Sequence, residues 1–443
     1  MPDPSPVLRP APSRRPAPAS RRDLRVEARF APSPWRWPRA VRAALVVAAT
    51  AFAAACGGAQ ATDSVTFDFD PVLVDLVTSD DGGEEVVLVD IRDAFFEAND
   101  YLTAGDYENA LRLYRLVDAH AVDEAFIRAA RYNSALAHEA LEQWRDAGAL
   151  YRQVIVDWPA SGDAKDAHYR LAECFAQVGQ FDAVPPLMAR VLERADLSVL
   201  EKVEAHLRVG VAHFELRAFQ EATAALNEAL AVNRRASASF DPERSDALER
   251  PVEGNDALIA QTLYALGRVY HELFSEIRFV LPEARLARDL VDKTQLFEQS
   301  QDAYLETVRT GNPYWGVAAG YQVGQLFEDY YFDVLATEVP SDFNEVEIEV
   351  YFEELRAFVA PALERALGIY EQNLGMAFRL GAEGEWVDAT LESLERVNSY
   401  LRARDGWAEE HRQIVEGRHP HSASHAPSLQ TRTPEPHGDT TAQ

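Results

Sequence analysis

The sequence predicts an all-α solenoid, a stack of helix pairs with disordered segments at both ends. Three observations lead to this fold class. A pattern of small and large residues recurs about every 37 residues, and the apolar residues within each unit are spaced by three, four and seven. No alternating runs typical of strands separate these units. Hydrophobic residues make up 47% of the 443 residues, which is enough for a packed core.

The repeat is marked by a turn aromatic that recurs at spacings of 37, 37 and 38 residues. The four turn aromatics are Tyr107, Trp144, Phe181 and Phe219. Each unit has a small residue or valine three places later, a large residue seven places later and a small residue nine places earlier. These places hold Ala110, Ala147, Val184 and Ala222, then Tyr114, Tyr151, Met188 and Leu226, and finally Ala98, Ala135, Ala172 and Gly210. Small residues let two helices cross closely, and large residues fill the space between neighbouring pairs.

Gly105 and Gly179 precede two of the turn aromatics, and Pro159 closes the second unit. With these residues the pattern resembles the tetratricopeptide repeat (TPR), whose usual spacing is about 34 residues. The longer spacing, with YRQVIVDWPASGDAKDAHYRLAECF at 151–175, resembles the periplasmic branch of that family. This branch includes the lipoprotein subunit of the outer-membrane barrel-assembly machine and the repeat protein of the Tol–Pal system. The resemblance covers roughly residues 91–400 and implies a protein-binding scaffold.

The regularity of the repeat sets the predicted domain boundaries. They are a tether at 57–90, regular repeats at 91–232, a polar loop at 233–257, irregular TPR-like repeats at 258–410 and a disordered tail at 411–443. Within the tether, Val86–Val89 can pair as a short strand. In the irregular repeats Gly267 and Gly324 are the expected small contact residues, and Trp386 stands where a last turn aromatic is expected. The acidic insertion at 338–354 favours a helix that begins near Asn344, with a short strand as the alternative.

The first 56 residues have the layout of an export signal. Residues 1–42 hold ten proline and ten arginine residues, which predicts a disordered extension or the basic region of a signal peptide. The uncharged run at 43–55 is too short to span a bilayer, which takes about 20 apolar residues. Ala53-Ala54-Ala55-Cys56 resembles a bacterial lipobox, although leucine is more usual at the first place, and this implies lipidation of Cys56 at the outer membrane. The alternatives are cleavage before Cys56 that releases a soluble periplasmic protein, or an apolar core segment.

Charge and motifs exclude several classes of function. The net charge is −29, and the basic residues 1–42 contribute +7, so the chain from residue 57 onward carries −36. A body this acidic is not expected to hold a nucleic-acid backbone. The sequence contains none of the common nucleotide-binding, zinc-protease or serine-hydrolase motifs, so we expect no enzyme activity, cofactor or metal. Cys174 is expected to be a buried structural thiol, and His168 and His206 to be core or rim residues.

A partner groove is the most specific site that the repeat predicts. The first helix of each TPR pair lines the concave side of such arrays. Positions twelve and eight residues before the turn aromatic should therefore face a partner, and they form an apolar, partly aromatic set. The predicted groove residues are Phe95, Asn99, Tyr132, Leu136, Tyr169, Glu173 and Leu207. The alternative is that the aromatic residues fill the interface between helices.

Two functional hypotheses follow. The first is a non-enzymatic adaptor, anchored to the membrane only through lipid, that binds envelope proteins in barrel assembly, envelope maintenance, or a motility or secretion complex. The second is a soluble periplasmic ligand-binding protein or enzyme with its site in the irregular second half. Convergent polar groups around a pocket near 314–330 would favour the second, and a long open groove would favour the first. The sequence does not indicate the oligomeric state.

Overall fold

The computed structural model describes residues 72–78, 84–254 and 256–402. Cys56, the signal-like segment 1–56 and the tail 411–443 lie outside these residues. Within the described part, the chain forms one antiparallel hairpin and thirteen α-helices. The hairpin strands are β1 Val72–Thr78 and β2 Glu84–Asp90. The helices are α1 Ile91–Ala104, α2 Tyr107–His120, α3 Glu124–Ala140, α4 Trp144–Asp157, α5 Gly162–Gln177, α6 Val184–Leu192, α7 Val199–Glu215, α8 Phe219–Ser239, α9 Ala257–Glu276, α10 Glu283–Arg309, α11 Pro313–Leu335, α12 Glu345–Leu380 and α13 Glu385–Arg402.

The hairpin precedes the helices within the segment predicted to be a tether. β1 pairs with β2 so that Val72 lies opposite Asp90, and the predicted strand at Val86–Val89 is confirmed within β2. The chain passes directly from β2 into α1. Asp90 ends the strand and caps the helix, because its carboxylate accepts hydrogen bonds from the backbone N–H groups of Arg92 and Asp93.

The helices form a TPR-type α-solenoid, as predicted. Odd-numbered helices are the first helices of each pair and even-numbered helices are the second helices. Each helix packs against the next one along the chain, and each first helix also packs against the first helix of the following pair, from α1·α3 through to α11·α13. Within the described residues, second helices make no comparable contacts with one another. The stack is therefore tighter along the first helices, and we call this side the inner face.

The small and large residues of the repeat meet inside each helix pair. Ala98 and Tyr114 lie in one buried cluster, and Ala135 and Tyr151 lie in the next. The same buried positions are occupied by Ala110, Ala147, Ala172, Val184, Met188, Gly210, Ala222 and Leu226. Of the turn aromatics, Phe219 is buried, while Tyr107, Trp144 and Phe181 are half-buried. Pro159 lies exposed in the turn after α4.

The irregular half repeats the same contact with longer spacing. A Cβ added to Gly267 would stand 2.6 Å from the ring of Tyr304 on the next helix. A Cβ added to Gly324 would overlap the ring of Tyr370 in the same way. Gly267 and Gly324 are therefore the small contact residues that the sequence indicates. Tyr304 and Tyr370 lie farther along the chain from their glycines than Tyr114 does from Ala98. The reason is that several helical turns precede the tyrosine in α10 and in α12.

The loop expected at 233–257 is shorter, because α8 continues to Ser239. The helix expected near Asn344 is confirmed, since Asn344 caps α12 in a capping box with Glu347. Residues 338–343 of the acidic insertion precede this helix. The expectation of a turn aromatic at Trp386 was wrong, because turn aromatics belong to the second helix of a pair, and α13, which carries Trp386, packs against α11 as a first helix does.

The first four repeats turn through a left-handed residue two places before the turn aromatic. Its φ is 80° at Gly105, 57° at Glu142, 73° at Gly179 and 56° at Arg217. At each turn the next backbone N–H donates to the carbonyl five residues back, at 2.8–2.9 Å. The turn geometry is therefore conserved between repeats even where the residue is not glycine. Among the described helices, none is both long enough and apolar enough to cross a membrane.

Candidate functional site

The aromatic residues of the predicted groove pack between helices. Phe95 and Tyr169 are each 8% exposed and Leu207 is 2% exposed. The ring of Phe95 lies 5.1 Å from that of Phe126, and the Tyr169 hydroxyl donates to the Glu201 carbonyl at 2.9 Å. The expectation of an open aromatic strip was therefore wrong for these three residues. They occupy the seam where successive first helices meet, and burial there removes Phe95 and Tyr169 from any partner, whereas Leu207 forms part of the wall of a cleft.

The other predicted groove residues lie closer to solvent. Tyr132 is half-buried, and its ring centre lies 5.6 Å from that of Tyr151. Asn99, Leu136 and Glu173 are also half-buried and lie on α1, α3 and α5. Asn99 Oδ1 accepts a hydrogen bond from the Tyr114 hydroxyl at 2.6 Å. The inner face is therefore more polar than the aromatic pattern suggested.

A polar ladder joins successive first helices along the inner face. Its donors are the residues eleven places before the turn aromatic, and each donates to the preceding first helix. The bonds run from Asn133 Nδ2 to Asn99 Oδ1 at 2.9 Å, from Arg170 Nη1 to Glu139 Oε2 at 3.0 Å and from Arg208 Nη1 to Glu173 Oε2 at 3.0 Å. Arg208 also pairs with Glu204 on its own helix at 2.9 Å. These side chains bridge successive first helices, so they are not free to bind the C-terminal carboxylate of a partner protein.

Burial disfavours the charged form of two carboxyl groups near the inner face. Desolvation raises the pKa of Glu139 even though Arg170 works in the opposite direction. Desolvation also raises the pKa of Glu215, farther along α7, against the attraction of Arg268. At both positions the cost of burial exceeds the attraction of the nearby guanidinium group.

A cleft opens on the inner face between α5, α6, α7 and α9. The cleft and the open solvent at its mouth together amount to about 550 Å³. Its apolar lining residues are Ala172, Ala176, Phe181, Val184, Leu207, Val211, Ala212 and Leu258, and its polar lining residues are Glu173, Glu204, Arg208 and Gln261. A mostly apolar cleft with a few placed polar groups is the usual form of a binding site.

Two local features of the sequence create this cleft. Ala176 stands five places before the turn aromatic, where the other repeats have Leu102, Glu139 and Phe214. Because alanine carries only a methyl group, the space that a larger side chain would fill at this position stays open and forms part of the cleft. In addition, Pro185 and Pro186 cannot donate backbone hydrogen bonds, so the segment that carries Phe181 forms a 3₁₀ turn and α6 is only nine residues long. The other second helices of the regular repeats begin at the turn aromatic itself.

Gln261 is the most unusual residue of the cleft. It lies on α9, is only 4% exposed, and its Nε2 has no hydrogen-bond partner among the described residues. A buried amide without a partner costs about 1–3 kcal/mol, so such groups are rare unless a ligand or water completes them. The repeat alignment could have indicated that Ala176 is smaller than the residue at the same position of the other repeats. It could not indicate Gln261 or Leu258, which lie beyond the aligned repeats.

Convergent polar groups near 314–330 lie inside the core. Glu328 is fully buried and accepts hydrogen bonds from the Tyr370 hydroxyl and from Gln325 and Arg396. Ser393 bonds to both Gln325 and Arg396. These groups hold α11, α12 and α13 together, while Arg396 Nε is buried without a hydrogen-bond partner among the described residues. They do not line the cleft described above.

The cysteine and histidines singled out by the sequence are packing residues. Cys174 is buried, and desolvation raises the pKa of its thiol to about 12. His168 is buried with Nδ1 at 2.6 Å from the Ala164 carbonyl oxygen, and burial lowers its pKa. Across the residues that the structure describes, no three histidine, cysteine or acidic side chains are grouped so as to hold a metal ion.

No protein-family model matches the chain, and no curated protein sequence matches it. Among solved structures, the chain is similar to the C-terminal part of a TPR repeat-containing protein from Cytophaga hutchinsonii. The two are 10% identical, the match covers 72% of this chain and 98% of that one, and the TM-score is 0.37. The chain is also similar to a TPR repeats protein from Bacteroides fragilis, with 14% identity, coverage of 70% and 99%, and a TM-score of 0.24.

Proposed function

We propose that this protein is a non-enzymatic TPR scaffold that is tethered to the bacterial outer membrane and binds another envelope protein through its inner face. The observation that carries the proposal is the cleft on the inner face, where an apolar lining surrounds the unpartnered amide of Gln261. A site of this kind suits a side chain of a protein partner.

The polar ladder supports binding over catalysis. Arg170 and Arg208 are each engaged by carboxylates, and the buried carboxylate of Glu328 is engaged by Tyr370, Gln325 and Arg396. A nucleophile or general base needs a reactive group with access to substrate. The reactive side chains of these two regions are committed to joining helices, which favours the adaptor over the enzyme of the second hypothesis.

Membrane attachment is proposed from the sequence. Cys56 follows a short apolar run and three alanines, and a lipidated N-terminal cysteine carries two or three acyl chains, which suffices for stable anchoring. In known lipoproteins an aspartate directly after the cysteine signals retention at the inner membrane. Here that position holds Gly57, which by resemblance favours the outer membrane. Cys56→Ser should move the protein from the membrane pellet to the soluble periplasm. Unchanged fractionation without lipid on the N-terminal peptide would contradict the anchor and leave the soluble periplasmic form as the alternative.

Site-specific photocrosslinking in the organism of origin tests the adaptor. A benzophenone amino acid replaces Gln177, which lies one turn from Glu173 on α5 and outside the cleft lining, or Val156, which is 74% exposed on the second helix α4. We expect position 177 to crosslink to one defined envelope protein, identified by mass spectrometry, and position 156 to give no such product. Crosslinks to that protein from Val156 alone would show that the inner face is not the binding face.

A further inference from the structure

We infer that the cleft between α5, α7 and α9 binds an apolar side chain from an extended, cationic segment of the partner protein. The inference rests on the proposed function and specifies the chemistry of the partner at that site. It follows from three properties of the cleft, namely its shape, its unpartnered amide and the charge around it.

The shape fits one large apolar side chain. Ala176, Val211 and Leu258 line the cleft where the inner face is open, and the small side chain of Ala176 provides the space. In the first repeat the equivalent place is filled from within by Leu102. A leucine-sized group supplied by a partner would therefore restore the packing that this repeat lacks.

The unpartnered amide fits a peptide backbone. Among the residues that the structure describes, Gln261 Nε2 is a hydrogen-bond donor without an acceptor, and Gln261 lies in the wall of the cleft. An extended segment that places a side chain in the cleft also brings its own carbonyl groups to the rim. A carbonyl that accepts from Gln261 would remove the cost of the buried amide, and a purely apolar ligand would not.

The surrounding charge selects a cationic segment. Along the ladder, the carboxylates of Glu139, Glu173 and Glu204 outnumber the guanidiniums of Arg170 and Arg208 by one. Beyond the cleft, Arg268 and Arg217 face three carboxylates, those of Glu215, Glu272 and Glu276, which leaves a second surplus carboxylate. An acidic segment would have to displace paired carboxylates from Arg208, whereas arginine or lysine beside the anchor would offset the surplus.

Peptide binding to the purified full-length chain tests the inference. The probes are four fluorescein-labelled nine-residue peptides in a glycine–serine background. One has a central leucine flanked by four arginines, one has the same leucine flanked by four glutamates, one has the leucine with uncharged flanks, and one has the arginines around a central glycine. We expect a Kd of about 10–100 µM for the first peptide and binding at least about tenfold weaker for the second and fourth.

Two variants locate the binding. Ala176→Leu fills the cleft with the residue that the first repeat carries there, and it should weaken the arginine–leucine peptide about tenfold. Ala149→Leu, the same change at an exposed site on α4, should have no effect. Gln261→Met keeps the side-chain volume but removes the donor. It should weaken binding about fivefold while the Tm stays the same or rises, because an unpartnered buried amide is lost.

Several outcomes would overturn the inference. These are equal binding of the arginine and glutamate peptides, equal binding of the leucine and glycine peptides, and arginine-peptide binding that neither Ala176→Leu nor Gln261→Met weakens. Conversion of a dimer to a monomer by Ala176→Leu in sedimentation would identify a second copy as the occupant instead. Crosslinking from position 177 that persists in Ala176→Leu would leave the adaptor function intact and refute the cleft alone. Peptide binding at the cleft without any crosslinked envelope protein would refute the adaptor function alone.

Discussion

The ring of Tyr370 lies directly on Gly324, in the space where any larger residue would place its Cβ. The hydroxyl of the same tyrosine bonds to the buried carboxylate of Glu328, one turn farther along α11. Packing and polar contacts therefore fix α12 on α11 through a single side chain. The contact is the counterpart of Ala98 with Tyr114 in the first repeat, so one packing rule extends through the irregular half.

Replacing Gly324 should test that rule. In Gly324→Ala the added methyl group meets the Tyr370 ring, and overpacking of this kind typically costs about 1–3 kcal/mol. Gly316→Ala is the matched control on the same helix, because a Cβ there would meet no atom of the other described residues within 4 Å, apart from the chain neighbours and the nearby backbone of α11. The control should gain about 0.5–1 kcal/mol from the better helix propensity of alanine. Urea denaturation followed by circular dichroism measures both, and equal effects of the two changes would contradict the packing rule.

The left-handed turns predict a stabilising substitution. Glu142 is exposed and has φ 57°, a conformation that costs a residue with a side chain about 1–2 kcal/mol and glycine very little. Glu142→Gly should therefore raise stability by about 1 kcal/mol. The reverse change, Gly179→Ala, should lower it by a similar amount although the space around Gly179 is empty. Thermal denaturation measures the stability of both variants. A loss of stability in Glu142→Gly would show that the left-handed conformation at residue 142 does not destabilise the protein.

The buried charge cluster should respond to its two partners differently. Arg396→Met removes a cation from Glu328, which is fully buried, and an uncompensated buried charge costs about 3–5 kcal/mol. Glu328→Gln combined with Arg396→Met removes both charges and should recover most of that loss. Equilibrium unfolding of the single and double variants gives the coupling between the residues. Additive losses would mean that the two side chains act independently.

The sequence determined the packing of the repeats better than it determined the site. The spacing from Ala98 to Ala222 predicts which residues meet inside a helix pair, because that contact depends on helix geometry alone. Whether Phe95 faces solvent or a neighbouring helix depends on how successive pairs rotate about each other, which spacing along one chain does not specify. The cleft exists because Ala176 is smaller than the residues at the same position of the other repeats. Its wall also includes Gln261, from a helix outside the aligned repeats. Such a site becomes evident only once α5, α7 and α9 are placed together.

A final prediction concerns pH and the Lys165–Glu201 ion pair, which joins α5 to α7. Lys165 Nζ lies 2.6 Å from Glu201 Oε1, and Glu201 Oε2 accepts hydrogen bonds from the backbone and hydroxyl of Ser198. Burial alone would raise the pKa of Glu201, but the bonds from Lys165 and Ser198 outweigh it and hold the pKa below its usual value. A carboxyl with a lowered pKa in the folded state adds stability above its unfolded pKa and loses it as the pH falls through the folded value.

Glu201→Gln should therefore lower the Tm at pH 7, and the difference from the wild type should shrink as the pH falls through and below the usual pKa of a glutamate carboxyl, where the wild-type carboxyl becomes protonated. Glu193→Gln, the same change at an exposed position, is the control and should leave the Tm nearly unchanged at every pH. Differential scanning calorimetry at several pH values measures both. Only the carboxylate attracts Lys165, whereas a protonated carboxyl and an amide can make the same hydrogen bonds. A wild-type advantage in Tm that stayed constant down to about pH 3 would therefore mean that Glu201 stabilises α7 through its shape and not through its charge.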